Sequence, residues 1–313
     1  MPLDAESEAL LAARRKAGIP PVSRQTLAEV RGSRKEWRVA APVPKVPVDE
    51  IFEADVAVDG GSIKVRIYRP AGPGARPAVI YLHGGGWVLG DLEHSDALCR
   101  RLAVETGFVV INVDYRLAPE HRYPTAARDS YTAFRWVADN ASKLGIDPRR
   151  IAVAGGSAGG NLAAAITLMA RDDRRIHPAA QVLAYPCLDD ACASPSYVEF
   201  AEGFIVATED MRWYWRQYLA DAASAKRPYA CPLKAEDLSD LPPALVITAE
   251  CDPVRDDGER YAQRLEKAGV PTVLSRYPGT LHGFFAMPGV FAKGTAAVLE
   301  ASRFLVTALG GIT

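Results

Sequence analysis

The chain has 313 residues, of which 49% are hydrophobic, enough for a large core and too many for a disordered chain. A formal net charge of -1 carries no global basic footprint, which argues against a nucleic-acid partner. No apolar run approaches the length of a membrane span, and Asp4, Glu6 and Glu8 precede any basic residue, so neither stable membrane insertion nor a signal or transit peptide is expected. The five cysteines (Cys99, Cys187, Cys192, Cys231, Cys251) are odd in number and form no C-x-x-C pair. Free thiols in a reducing, cytoplasmic compartment are expected in preference to a Cys187–Cys192 bridge.

In chain order, residues 4–16 and 23–37 read as two helices broken by the IPPV of 19–22. Arg14, Arg15, Lys16, Arg31, Arg34, Lys35 and Arg38 make this segment basic, which reads as a solvated helix face, with membrane-surface or partner contact as the alternative. A Pro-rich connector follows at 41–50. Strands are predicted at 53–58, 63–69, 77–82, 108–114, 150–155, 180–185, 244–249 and 272–277. Helices are predicted at 95–106, 124–141, 158–171, 254–268 and 294–309. This alternation implies an α/β fold with a mainly parallel sheet covered on both faces. Residues 186–243 break it. Within them Thr208 is the expected N-cap of a helix carrying Met211, Trp213, Tyr214, Trp215 and Tyr218. Such an aromatic run is either buried core or the underside of a lid, and its place after a strand's C-terminal end favours the lid.

GGSAGGN, residues 155–161, joins the strand ending near Gly155 to the helix opening at Ala158. A Gly-rich turn with a capping serine is the plain alternative. In a G-x-S-x-G strand–turn–helix, however, the serine takes strained dihedrals and its hydroxyl projects above the sheet. A helix N-terminus beside it supplies free N–H groups and a positive dipole end.

A serine hydroxyl needs a base, and the base an orienting acid. Of the five histidines, His177 falls at the wrong edge of the sheet, whereas His282 follows the last predicted strand in a loop bracketed by Gly279 and Gly283. Asp252 leaves the preceding strand, with Glu250 the weaker substitute. Asp256 and Asp257 read as solvated first-turn charges of the next helix. The order Ser157, Asp252, His282 is that of α/β-hydrolases. YLHGGGW, residues 81–87, offers three glycines after a strand. Gly85, Gly86 and the N–H of Ala158 are the expected oxyanion donors, with Gly84 shaping the turn and His83 orienting the loop. The stretch lacks both the G-x-G-x-x-G fingerprint and a P-loop lysine, which argues against nucleotide binding.

HGGGWVLGD (83–91), DYRLAPEHRYP (114–124), GGSAGGNLA (155–163), DPVRDDG (252–258) and HGF (282–284) together resemble the hormone-sensitive-lipase-like family of bacterial esterases. The resemblance implies an α/β-hydrolase core with a helical cap, built from residues 1–45 and 188–227 around catalytic segments 46–187 and 228–313. It implies hydrolysis of short- to medium-chain carboxylic esters with no metal or organic cofactor, and it places the triad on Ser157, Asp252 and His282. One position departs: Gly156 stands where the family commonly has Asp or Thr. Cys187 and Cys251 are read as small buried hydrophobes near the site. By position alone, Trp87, Tyr185, Phe204, Ile205, Trp213 and Tyr214 are expected to line the pocket. Edge-strand pairing into a homodimer is expected by analogy. An amidase or lactonase would use the same triad. A non-catalytic small-molecule receptor on this fold is disfavoured by the presence of His282.

Overall fold

Val-, Ile- and Tyr-rich runs fit the pleated, buried surface of a sheet, and eight of them assemble into one: β1 (Glu50–Val58), β2 (Gly61–Arg69), β3 (Arg76–Leu82), β4 (Val109–Asp114), β5 (Ile146–Gly156), β6 (Gln181–Ala184), β7 (Ala244–Cys251) and β8 (Thr272–Leu281). The computed structural model describes residues 3–32 and 43–310. Strand order is β1-β2-β4-β3-β5-β6-β7-β8. β1 and β2 form a hairpin, β2 runs antiparallel to β4, and every pairing from β4 to β8 is parallel. All eight predicted strands are present. β5 starts earlier than expected, at Ile146, and β8 runs on to Leu281. β3 and β7 are buried along their whole length, as a sheet covered on both faces requires. Each fully buried residue such as Val79, Ile80, Val246 or Ile247 contributes about 1.5–3 kcal/mol.

The N-terminal segment holds α1 (Ala5–Lys16), capped by the Asp4 carboxylate on the Ser7 N–H at 2.8 Å. A short 3-10 turn at Val22–Arg24 precedes α2, helical at residues 27–32. The rest of the predicted second helix lies outside the described residues, as do Arg34, Lys35 and Arg38. Parallel neighbours need crossovers. These are α3 (Asp96–Thr106), α4 (Thr125–Asp139) with the short α5 (Ala141–Leu144), and α6 (Ala158–Asp173). The segment between β6 and β7 contributes α7 (Pro195–Glu199) and α8 (Thr208–Tyr218). α9 (Arg255–Lys267) joins β7 to β8, and α10 (Ala292–Leu309) closes the described chain.

Thr208 is not the N-cap of α8. Ala207 holds that place, and Thr208 is the first helical residue. The Thr208 hydroxyl instead donates to the Tyr197 carbonyl at 2.6 Å, and the Asp210 carboxylate accepts the Ala207 N–H at 3.2 Å. Asp210 also accepts the Ser23 N–H at 2.7 Å, fixing the N-terminal segment to α8. Among the described residues no helix is long and apolar enough to cross a membrane.

Candidate active site

β5 turns into α6 at Ser157, which holds φ 59° and ψ -120°. This is left-handed backbone that an L-residue adopts only when its surroundings force it. A Cβ on Gly155 would lie 2.2 Å from the Gly159 carbonyl oxygen, and one on Gly159 would lie 1.9 Å from that of Leu82. The expected close approach is therefore present on both sides of the serine. A Cβ on Gly84 would sit 3.4 Å from the Ser157 Cβ, so the three-glycine loop abuts the hydroxyl.

His282, just past β8, and Asp252, just past β7, meet the serine from neighbouring strand ends. His282 Nε2 is 2.8 Å from Ser157 Oγ, and His282 Nδ1 is 2.7 Å from Asp252 Oδ2. Asp252 is fully buried, while Ser157 and His282 each keep 9% exposure, so solvent reaches the serine and histidine but not the acid. Asp252 Oδ1 accepts the Val254 N–H at 3.0 Å. Glu250 serves another contact: its Oε2 accepts the Gly279 N–H at 2.7 Å, and Gly279 lies within the end of β8 and not in the loop expected ahead of His282. His177 is exposed. Such a chain can carry a proton from a hydroxyl to an imidazole held by a carboxylate, which makes the hydroxyl a nucleophile.

Gly85 and Gly86 hold φ 118° and 61°. A Cβ on Gly86 would lie 2.1 Å from Tyr214 Cδ1, so α8 presses directly on this turn. The Leu89 N–H donates to the Gly85 carbonyl at 2.9 Å. His83 braces the loop from beneath, with Nδ1 2.8 Å from the Gly84 carbonyl, and the Tyr115 hydroxyl donates to the His83 carbonyl at 2.8 Å. Burial pulls the His83 imidazole down to about 4, so it is neutral at pH 7. Ala158 opens α6, and its N–H has no carbonyl within that helix to bond.

The pocket expectations separate into groups. Trp87 is fully buried, its ring stacked 4.2 Å from Tyr218 and 4.4 Å from Trp215, so it packs behind the loop and faces no solvent-open space. Tyr185 is also buried, 4.7 Å from the His282 ring. Phe204 and Ile205 line a cavity of about 550 Å3 beneath α1, together with Leu11 and Ile19. Ile205 and Tyr214 line a smaller one of about 40 Å3. Ser157, Asp252 and His282 line neither. Trp213 is half-buried, edge-on to Tyr214 at 5.2 Å.

Asp257 corrects the reading of solvated first-turn charges. It is 1% exposed and accepts the Tyr197 hydroxyl at 3.0 Å, because α7 covers the first turn of α9. Asp256 is half-buried, and its carboxylate takes the Ser196 N–H at 2.8 Å. Cys187 lies with its Sγ 3.5 Å from Ser157 Oγ, and all five cysteines are buried and unpaired. Burial pushes the Cys187 thiol well up, so it stays protonated beside the serine. Two further residues carry the site and received no role from the sequence. Tyr115 holds His83, and Asn161 Nδ2 donates to the Cys187 and Ala230 carbonyls at 2.8 Å each. A buried amide inside an Ala/Leu helix was the available signal for Asn161; Tyr115 stood inside a motif without a function of its own. Among the described residues no three His, Cys, Asp or Glu side chains are grouped to hold a metal.

A family model described as alpha/beta hydrolase fold matches residues 79–286. The chain is 42% identical over 288 residues to the carboxylic ester hydrolase LipN of Mycobacterium tuberculosis, covering 88% of this chain and 76% of that protein. It is 40% identical over 250 residues to an ethyl acetate hydrolase of Pseudomonas putida, covering 78% and 79%. The solved hyperthermophilic esterase of the archaeon Pyrobaculum calidifontis superposes with a TM-score of 0.93 at 42% identity, over 98% of this chain and 99% of that one. The match of the sheet, the strand–serine–helix turn and these relatives agree: the chain belongs to the alpha/beta-hydrolase-fold family, in its hormone-sensitive-lipase-like esterase branch.

Proposed function

We propose that this carboxylesterase hydrolyses short- to medium-chain esters through an acyl intermediate on Ser157. The observation that carries the reading is the unbroken run Ser157 Oγ–His282 Nε2 (2.8 Å) and His282 Nδ1–Asp252 Oδ2 (2.7 Å). In this scheme His282 takes the hydroxyl proton as Oγ attacks the ester carbonyl. Asp252 holds the imidazole and offsets its charge. The N–H groups of Gly85, Gly86 and Ala158 bind the oxyanion. His282 then protonates the leaving alcohol, and water repeats the cycle.

Residues 1–45 and 188–227 act as the cap. The contacts of Ser23 with Asp210 and of Tyr214 with Gly86 support this, since they join both segments over the three-glycine loop. Phe204, Ile205 and Tyr214 belong to the cap side, with Trp213 at their edge, while Tyr185 and Trp87 back the site from inside. The activity named for the ethyl acetate hydrolase favours short acyl groups. Five buried thiols fit a reducing, cytoplasmic setting.

The test is initial rate on p-nitrophenyl esters from acetate to palmitate, with Ser157→Ala alongside. Rates should peak at short chains and fall by at least about 10^4-fold in the variant. A folded protein inert on every ester would redirect the reading to an amide or lactone.

A further inference from the structure

Asp252 is aimed by a short loop, and the residue after it is Pro253. Proline has no N–H, so its carbonyl is the only backbone group through which hydrogen bonding can pin that residue. The partner is Ser196, whose hydroxyl donates to the Pro253 carbonyl at 2.6 Å. Ser196 is fully buried and belongs to α7, in the segment between β6 and β7, far from Asp252 in sequence. Its N–H donates to Asp256 Oδ2 at 2.8 Å, and its hydroxyl oxygen accepts the Asp256 N–H at 3.3 Å. Three contacts from one side chain and its backbone thus straddle the turn that presents Asp252. None of them touches Ser157, His282 or the carboxylate itself.

We infer that Ser196 is a positioning residue for the reaction: by holding the Pro253 carbonyl it sets where Asp252 meets His282, so the seating of the insertion is transmitted to the acid. The inference rests on the Ser157–His282–Asp252 reading above. Its physical basis is that a buried carbonyl stripped of its donor must find another, and the loop has to move to do so. The same insertion reaches the other side of the site through Tyr214, so one element contacts both the acid loop and the three-glycine loop.

Ser196→Ala tests this against Tyr197→Phe, which removes a neighbouring α7–α9 hydrogen bond, Tyr197 to Asp257, and leaves Pro253 alone. With p-nitrophenyl butyrate, Ser196→Ala should lower kcat about tenfold with KM changed by less than about twofold, because misplacing a catalytic group costs rate more than binding. Tyr197→Phe should lower the melting temperature and keep kcat. Equal loss of kcat in both variants, or an unchanged kcat in Ser196→Ala, overturns the proposal. Should Ser196→Ala fail to fold, Ser196→Cys keeps a side chain of similar size but offers the Pro253 carbonyl only a weak S–H donor, and it should show the same selective fall in kcat; an unchanged kcat there also overturns the proposal. Ser157→Ala separates the two levels: an active Ser157→Ala sinks the nucleophile reading, whereas a dead one beside a fully active Ser196→Ala sinks only the positioning role.

Discussion

Ser157 stays at φ 59° because the residues packed around it lack side chains, and each missing Cβ has a different value. At Gly159 a methyl group would drive into the Leu82 backbone at 1.9 Å, and backbone cannot step aside. At Gly156 the nearest atoms belong to the Tyr185 ring, 3.1 Å away, and that ring can shift by a few tenths of an ångström. Gly159→Ala should therefore cost at least ~3 kcal/mol and remove activity, whereas Gly156→Ala should cost about 1 kcal/mol and keep it. Thermal melts and p-nitrophenyl acetate rates on the two variants check the contrast. Position 156 was the departure visible in the sequence. The space around it was not visible, since Tyr185 arrives from the next strand. Ser157, Asp252 and His282 were legible because each follows a strand with a local signature: glycines, a proline, a glycine-bracketed histidine. Ser196 and Tyr115 had no such signature, because their roles are contacts made across the fold.

At the scale of elements, the long helices and all eight strands announced themselves by periodicity, and the short α5 and α7 did not. A five-residue helix has too few turns to show a face. α8 does show one: Met211, Tyr214, Trp215 and Tyr218 are its large buried side chains and recur at i, i+3, i+4 and i+7. Trp213, read from the sequence as part of the same run, falls off that face and is half-buried. The unpredicted α7 changes the chemistry of α9 beneath it. Burial there pushes the Asp257 carboxyl up to about 8, from an ordinary value of 3.8, against the lowering effect of the Tyr197 hydrogen bond. Between these two values the unfolded chain has released a proton that the folded chain retains. The folded state binds more protons across that window, so stability falls as pH rises through it. Asp257→Asn should remove this slope. Urea unfolding at pH 4, 6 and 8 should find the variant and the parent nearly equal at pH 4, with the advantage of the variant growing up to pH 8. A constant difference across the series would contradict the assignment.

For the molecule as a whole, the sheet ends on β8, beyond which no further strand pairs among the described residues, and Val273 and Leu274 are 47% and 37% exposed there. An open edge with exposed apolar residues invites a second strand, which makes the homodimer expected by analogy from edge pairing testable. Light scattering should give twice the monomer mass, and Leu274→Lys should shift it to the monomer; a monomeric parent protein rules the dimer out. The insertion between β6 and β7 has a consequence of another kind. It enters by Ser196 against the acid loop, with Tyr197 beside it against α9, and leaves by Trp215 and Tyr218 against Trp87. As the cap proposed above, the insertion would look like a module to be traded for new selectivity. With Ser196 positioning the acid as inferred above, the joints of the module would belong to the machine it covers. A chimera that borrowed only the pocket-facing side chains of a foreign lid would inherit new walls and lose the alignment beneath them, whereas one that kept Ser196, Tyr214, Trp215 and Tyr218 could vary the rest.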